Sequence, residues 1–236
     1  AQCVALADRI DTLVGIFGIG QKPSGEKDPF ALRRASLGIL RICIEESLPL
    51  DLNALLGHAR DQYANKLSDC DIEEILDYVY DRLPGYYAEQ DIPKDAILSA
   101  LSSNKDRPLD IHHRIQAIQQ FRILPEAEAL IAGNKRIHNI LRKVEGNLPE
   151  NVDPGIFEEA CEHELHDQVR KLSKTMLVED YIQRMKQLAS LQQPIDAFFD
   201  QVMVMTEDKA LRDNRIALLN QTHRLFMQIA DLSKLQ

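Results

Sequence analysis

The sequence predicts an all-α protein built as two helical bundles, and three observations support this prediction. Apolar residues recur at intervals of three and four along almost the whole chain, which is the period of amphipathic helices. No convincing strand pattern and no repeat of fixed period is present, which disfavours a sheet protein or a helical solenoid. The polar segment 102–108 interrupts the helical pattern and predicts a boundary between residues 1–106 and 107–236.

The first part, residues 1–106, is expected to be a series of helices. Asp28-Pro29 predicts a helix start, because Asp caps helix N-termini and Pro is favoured at the first helical position. Asp69 or Asp71 is expected to open a later helix that Pro84-Gly85 closes. The apolar stripes that mark these helices run over Phe30–Ile44, Leu52–Tyr63, Ile72–Leu83 and Ala96–Leu101.

The second part, residues 107–236, shows the same periodicity around one long loop. That loop is segment 146–155, which contains two Gly and two Pro residues, and Pro125 is expected to open the helix before it. Val202–Met205 is a short apolar run that fits either a strand or a buried loop. The expected helices follow the stripes Ile111–Phe121, Leu130–Val144, Ile156–Leu172, Val178–Leu188, Ile195–Val202 and Leu211–Ile229.

Composition places the chain among ordinary globular proteins. It has 236 residues, of which 44% are hydrophobic and 28% charged. The net charge of −9 argues against a protein that coats nucleic acid non-specifically. Residues 1–106 carry a charge of −7 and residues 107–236 only −2, so a local basic patch is possible in the second part.

Targeting signals and cysteine spacing favour a cytoplasmic protein. The four cysteines form no CxxC pair, which is typical of free thiols in the cytosol. No run of about 18 apolar residues predicts a membrane span, and no secretory leader is visible. Because the sequence begins at Ala1 rather than Met, we expect it to be part of a longer protein.

Residues 161–167 (Cys-Glu-His-Glu-Leu-His-Asp) are the strongest local candidate for metal chemistry. On a helix, His163 and His166 could share a face, but Cys161 would point elsewhere, and the spacing is not that of HExxH zinc peptidases. His166-Asp167 also resembles the dyad of HD-type metal-dependent phosphohydrolases. A polar, solvated helix face is the favoured interpretation, and we predict no metal site here.

Two other motifs are better explained by structure than by chemistry. Gly15, Gly18 and Gly20 resemble a phosphate loop, but their order is GxxGxG, no strand precedes them and the Walker Lys is missing. A helix end running into a loop is the favoured interpretation. His112 and His113 are adjacent and point about 100° apart on a helix, so one is expected to be buried and the other exposed.

Basic residues between positions 135 and 143 are the best candidates for a binding surface. Lys135, Arg136, Arg142 and Lys143 lie within nine residues, with Asn139 between them. A helix would align several of them, and phosphates bind such stripes while Asn and Arg can also contact base edges. A second stripe is expected to form salt bridges with neighbouring carboxylates, and consists of Arg33, Arg34 and Arg41.

Several long segments match a known family. They are Ala7–Glu26, Asp28–Arg34, Asn134–Leu141, Phe198–Met205 and Asp208–Leu219. On these segments the chain resembles the C-terminal part of the β subunit of bacterial heterotetrameric glycyl-tRNA synthetase. The matches run in order from one end of the chain to the other, so coincidence is improbable.

The resemblance implies what each part is. Residues 1–106 would be the C-terminal part of an HD-like helical domain, with Asp8 as the final Asp of that motif and its other metal ligands upstream of Ala1. Residues 107–236 would be the helical anticodon-binding domain shared with arginyl-type synthetases. The parent complex would join glycine to its tRNA using ATP, with the aminoacylation site in the α subunit. This chain would then be non-catalytic and would hold no cofactor of its own.

The resemblance also implies partners and contacts. The partners would be glycine tRNA and the α subunit of the heterotetramer. The residues expected to contact RNA are Lys135, Arg136, Asn139, Arg142 and Lys143, joined by Arg212, Asn214 and Arg215 facing the same groove. Seven apolar residues in the matching segments are expected in the core: Ile137, Ile140, Leu141, Phe198, Phe199, Leu218 and Leu219. The alternative is a helical protein-interaction scaffold that does not contact RNA.

Overall fold

The structure, a computed structural model, describes residues 1–23, 27–63, 66–67, 70–175 and 180–236. Within these ranges the regular secondary structure is helical and contains no strand, which confirms the all-α prediction. The described helices include none that is long and apolar enough to cross a membrane. Asp69, Val178 and the end of the first matching segment lie outside the described residues.

Contacts between Cα atoms divide the chain into two compact units. The first unit comprises residues 1–97 and 104–113, and the second comprises residues 98–103 and 114–236. The division falls within two helices, α6 (Lys94–Leu101) and α7 (Pro108–Arg122). The predicted domains, 1–106 and 107–236, stay a prediction.

The first unit is built from five further helices around an aliphatic core. They are α1 (Gln2–Gly18), α2 (Leu32–Glu45), α3 (Leu52–Gln62), α4 (Ile72–Tyr80) and the short α5 (Leu83–Tyr86). The first helix packs against α2 and α3, and Leu13, Val14 and Leu40 are fully buried. Burying a side chain of this size stabilises the fold by about 1.5–3 kcal/mol.

Two helix boundaries of this unit differ from the prediction. α2 begins at Leu32 rather than just after Asp28, because Ala31 takes the left-handed conformation (φ 54°) as its N-cap. Asp28 still caps the helix, since its carboxylate accepts hydrogen bonds from the backbone N–H groups of Leu32 and Arg33 at 2.8 and 3.0 Å. Pro84 does not end α4 but lies in the first turn of α5, where its missing N–H is not needed.

Three minor predictions for this unit can be compared with the structure. The Gly-rich motif is a helix end, since α1 ends at Gly18 and Gly20 is left-handed (φ 72°), so the structural interpretation is confirmed. His113 is exposed, whereas His112 is half-buried with its Nδ1 2.8 Å from the Tyr87 hydroxyl, and burial lowers the pKa of His112. The ion pair of Arg41 is long and solvent-exposed, so it contributes little stability.

The second unit is a bundle arranged around one central helix, α8 (Ala127–Leu141). Its other helices are α9 (Ala160–Thr175), α10 (Tyr181–Leu188), α11 (Gln192–Gln201) and α12 (Lys209–Met227). α8 packs against α11, α12 and the C-terminal turn Leu232–Lys234. Of the predicted core residues only Ile140 is half-exposed, while Ile137, Leu141, Phe198, Phe199, Leu218 and Leu219 are buried as expected.

Buried Arg114 fixes the end of the bundle. Its Nη1 donates hydrogen bonds to the carbonyl oxygens of Gln228 and Ile229 at 2.8 and 2.7 Å. Its Nη2 donates to the Tyr181 hydroxyl at 2.8 Å, and the guanidinium carbon lies 4.5 Å from the centre of that ring. One side chain of α7 therefore joins α10 to the chain that follows α12.

A close approach between helices sets the position of α8. A Cβ atom at Gly133 would lie 2.9 Å from Ile195 Cγ2 on α11, which is shorter than real Cβ contacts allow. Gly133 is therefore required by packing, although glycine inside a helix is unfavourable by about 1 kcal/mol relative to alanine.

We expect Gly133→Ala to destabilise the second unit by about 1–3 kcal/mol, because α8 or the buried Ile195 side chain must shift to make room for the methyl group. The matched control is Gly57→Ala in α3, where a Cβ meets nothing within 4 Å and should stabilise the first unit by up to about 1 kcal/mol. Urea unfolding followed by circular dichroism measures both. Equal effects of the two substitutions would contradict the packing explanation.

Candidate nucleic-acid interface

An open groove in the second unit brings together three of the six basic residues predicted to bind RNA, Lys135, Arg136 and Lys143. It has a volume of about 680 Å³ and lies between the C-terminal part of α8, with the residues just after it, and loop 202–205. The lining residues are Ala132, Lys135, Arg136, Asn139, Ile140, Lys143, Val202, Met203, Val204 and Met205. Arg142 is exposed but does not line the groove. The helical period explains this, because residues 132, 135, 136, 139, 140 and 143 share one face.

The opposite wall of the groove is apolar. In loop 202–205, Val202 and Val204 are buried, whereas 75% of Met203 and 59% of Met205 are exposed. The segment is a loop, so of the two structures left open by the sequence the strand is wrong. The two methionines are not among the site residues predicted from the sequence. Alternation of valine and methionine directly after a helix was the available signal, because alternate residues of extended chain face opposite sides.

Arg136 has an aromatic support. Its guanidinium carbon lies 4.1 Å from the centre of the Phe199 ring, which belongs to α11 and is only 9% exposed. This distance is well within the range of an attractive cation–π contact. Arg136 is itself exposed, so its guanidinium is oriented by the ring while remaining accessible from the groove.

Arg215 lies beneath the groove rather than in it. The sequence predicts that it faces the groove, but it is 4% exposed and its Nε donates a hydrogen bond to Glu162 Oε1 at 2.8 Å. Its Nη2 reaches the other Glu162 oxygen at 3.2 Å, and its Nη1 donates to the Met203 carbonyl oxygen at 3.1 Å. The guanidinium is therefore occupied inside the bundle, where it supports loop 202–205.

Glu162 is held in its charged form inside the protein. Burial by itself raises the pKa of this carboxyl group, but the hydrogen bond and the charge of Arg215 lower it. The backbone N–H groups of Glu158 and Glu159 also donate to Glu162 Oε2, at 3.0 and 2.9 Å. Together these interactions exceed the effect of burial, so the pKa of Glu162 lies below its usual value.

The other two α12 residues expected in the groove also make internal contacts. Asn214 is 5% exposed and exchanges two hydrogen bonds with the backbone of Asp153, at 2.7 and 3.0 Å. It therefore fixes the end of loop 146–155. Arg212 is partly exposed, and its Nη1 donates to the Thr206 carbonyl oxygen at 3.2 Å. Neither residue lines the groove.

The candidate metal residues are arranged around an aromatic ring. The Phe157 ring centre lies 5.0 Å from that of His163 and 5.9 Å from that of His166. His166 Nδ1 lies 3.7 Å from Asp167 Oδ1, and Cys161 is buried. In the part of the chain that the structure describes, no three His, Cys, Asp or Glu side chains converge as metal ligands would. Asp8 is an exposed residue of α1.

Comparison with protein families identifies the class of the groove-bearing region. Residues 130–235 match the family described as DALR anticodon binding domain. All ten residues that line the groove lie inside this match. The groove-bearing region is thus similar to anticodon-binding domains of the DALR class.

The remaining comparisons give the family of the chain. Residues 1–102 match the family described as Glycyl-tRNA synthetase beta subunit. The glycine–tRNA ligase β subunit of Coxiella burnetii (strain RSA 331 / Henzerling II) is 48% identical over 99% of this chain and 35% of its own length. Those of Aeromonas salmonicida (strain A449) and Pasteurella multocida (strain Pm70) are 46% and 44% identical over 100% of this chain and 35% of their own length.

The chain therefore belongs to the glycyl-tRNA synthetase β-subunit family. It spans about a third of the length of the curated relatives that it matches.

We expect Glu162→Gln to destabilise the second unit by about 3–5 kcal/mol at neutral pH, because Arg215 would remain buried without its charged partner. In the unchanged chain, the stability due to Glu162 is fully present above the unfolded pKa of about 4.3 and is lost as the pH falls through the lower folded value. The Glu162→Gln variant should not show this loss of stability at acidic pH, because it has no carboxyl group at position 162. Urea unfolding at neutral and acidic pH measures both effects.

The matched control is Glu164→Gln, an exposed position on the same helix, which should change stability by less than about 0.5 kcal/mol. A Glu162→Gln variant as stable as this control would show that the buried pair is dispensable.

Proposed function

We propose that this chain is a tRNA-recognition module of a glycine–tRNA ligase, and that its groove binds the anticodon region of glycine tRNA. Aminoacylation with ATP would take place in a partner α subunit, so this chain would need neither an ATP site nor another cofactor. The observation that supports this proposal is the coincidence of the basic groove with the match to an anticodon-binding domain.

The chemistry of the groove suits an unpaired RNA loop. Lys135 and Lys143 offer point charges to phosphates, while Asn139 offers an amide that can donate to and accept from base edges. Met203 and Met205 offer exposed apolar surface to the faces of bases. Proteins that read single-stranded RNA combine these three kinds of contact.

Electrostatics limits how tightly the chain can bind by itself. A net charge of −9 repels RNA at long range, so attraction must come from the few cations around the groove. We expect weak, salt-sensitive binding by the isolated chain. Contacts made elsewhere in the complex would raise the affinity by linking two weak sites.

A second candidate function rests on the exposed methionines. Large exposed apolar side chains also occur at protein–protein contacts, and methionine is common on adaptable binding surfaces. The alternative is therefore a scaffold whose groove binds another subunit rather than RNA. Binding of glycine tRNA by groove variants distinguishes the two functions.

We expect charge reversal at Lys135→Glu with Lys143→Glu to weaken binding of fluorescently labelled glycine tRNA by at least about tenfold. The slope of log affinity against log salt should fall by about two, because two phosphates are no longer neutralised by lysine. The matched control is Lys171→Glu with Lys174→Glu, two exposed positions on α9 that do not line the groove. Fluorescence anisotropy at several salt concentrations measures all three proteins.

A glycine tRNA with an exchanged anticodon completes this experiment. Preference for the correct anticodon at moderate salt, abolished in the groove variant alone, would support an anticodon reader. Equal binding of both tRNAs by every protein would contradict it. Glycine tRNA binding that is unaffected by the groove variant would favour the scaffold.

We expect Met203→Ser with Met205→Ser to weaken tRNA binding without changing the salt dependence, because these side chains carry no charge. The matched control is Ile123→Ser, which removes an apolar side chain that is 76% exposed and lies outside the groove. The same anisotropy titration measures the effect. A double variant that binds as tightly as the control would exclude the methionines from the interface.

A further inference from the structure

The cations around the groove differ in how far their position is fixed. Lys135 and Lys143 end in flexible ammonium groups, whereas the Arg136 guanidinium lies over the nearly buried Phe199 ring at 4.1 Å. No carboxylate pairs with Arg136 among the described residues. The ring therefore orients a guanidinium that no carboxylate in the described part of the chain engages.

A guanidinium held in this way can do more than attract a phosphate. It is planar and weakly hydrated, so it stacks on flat π systems, including unpaired bases. Contact with Phe199 also restricts its rotamers before RNA arrives, which lowers the entropy that binding must overcome. A lysine at the same place would keep the charge but would not offer the flat surface.

Asn139 lies three residues further along the same helical face and also lines the groove. Its side-chain amide carries both a donor and an acceptor, which suits the edge of a base. The exposed methionines form the facing wall. The Arg136 guanidinium, the Asn139 amide and the two exposed methionines thus line the same groove.

We propose that Arg136, supported by Phe199, stacks on one unpaired base of the bound RNA, while Asn139 contacts the edge of that base. The proposal rests on the function proposed above and deepens it. Arg136 then contributes a base contact, and the neighbouring lysines contribute the phosphate contacts.

The test uses the 236-residue chain with Arg136→Lys and an RNA hairpin that carries the glycine anticodon loop. Stacking predicts about a tenfold loss of affinity, because one base no longer stacks on a guanidinium, with an unchanged salt slope because the charge remains. The matched control is Arg142→Lys, an exposed position directly after α8 and outside the groove, which should bind like the unchanged chain. An Arg136→Lys variant that retains full affinity would overturn the proposal.

A double-mutant cycle identifies the base. Hairpins with an abasic site at each anticodon-loop position in turn are titrated with the unchanged chain and with Arg136→Lys. At one position, removal of the base should lower the affinity of the unchanged chain about tenfold. The same removal should lower the affinity of Arg136→Lys only slightly, because this variant has already lost the stacking contact. Losses of affinity that simply add at every position would overturn the stacking role while leaving the proposed function intact.

A different result would show that the proposed function itself is wrong. If the unchanged chain does not bind the intact hairpin more tightly than the same stem closed by an unrelated loop, both proposals are overturned. Phe199→Leu is a second variant that leaves Arg136 in place but removes its support. It should lower the affinity for the intact hairpin about as much as Arg136→Lys, and thermal unfolding is used to check that it remains folded.

Discussion

The buried ion pair between Arg215 and Glu162 is the interaction on which the groove depends. It joins α12 to the start of α9, and the same guanidinium holds the carbonyl oxygen of Met203. Burying two charges is costly, and their mutual attraction does not generally make such a pair more stable than apolar packing. The pair instead fixes the conformation of loop 202–205, because a guanidinium bonded to several acceptors in fixed positions allows the loop few conformations.

The residues that fix the shape of the groove are different from the residues that it exposes. Gly133 allows α8 to approach α11 closely, and α11 carries the ring beneath Arg136. Under the proposed function, exposed side chains on this base would meet RNA with little rearrangement, which would lower the entropic cost of binding. Such a division would suit the proposed function, because a chain of negative net charge cannot rely on general attraction to RNA.

The sequence predicts the helices and one side of the groove, but not the whole site. Periodicity reveals that Lys135, Arg136 and Asn139 share a helical face, because this depends only on local geometry. It cannot show whether Arg215 points outward or inward, since its partner Glu162 lies 53 residues away. For loop 202–205 the local alternation indicates which side chains are exposed, but not that they face α8, because the residues of α8 that line the groove lie in a distant segment. The helix that Asp28 caps also begins later than the sequence predicts, because Ala31 takes a left-handed backbone conformation.

The alternation of buried valine and exposed methionine in loop 202–205 has an evolutionary consequence. Inserting or deleting a single residue just before Val202 would shift this order, so that methionine would come to a position where valine is now buried. Replacing one methionine by another unbranched apolar residue would leave this order intact. The loop should therefore tolerate changes of residue type more readily than changes of length, although most surface loops accept insertions.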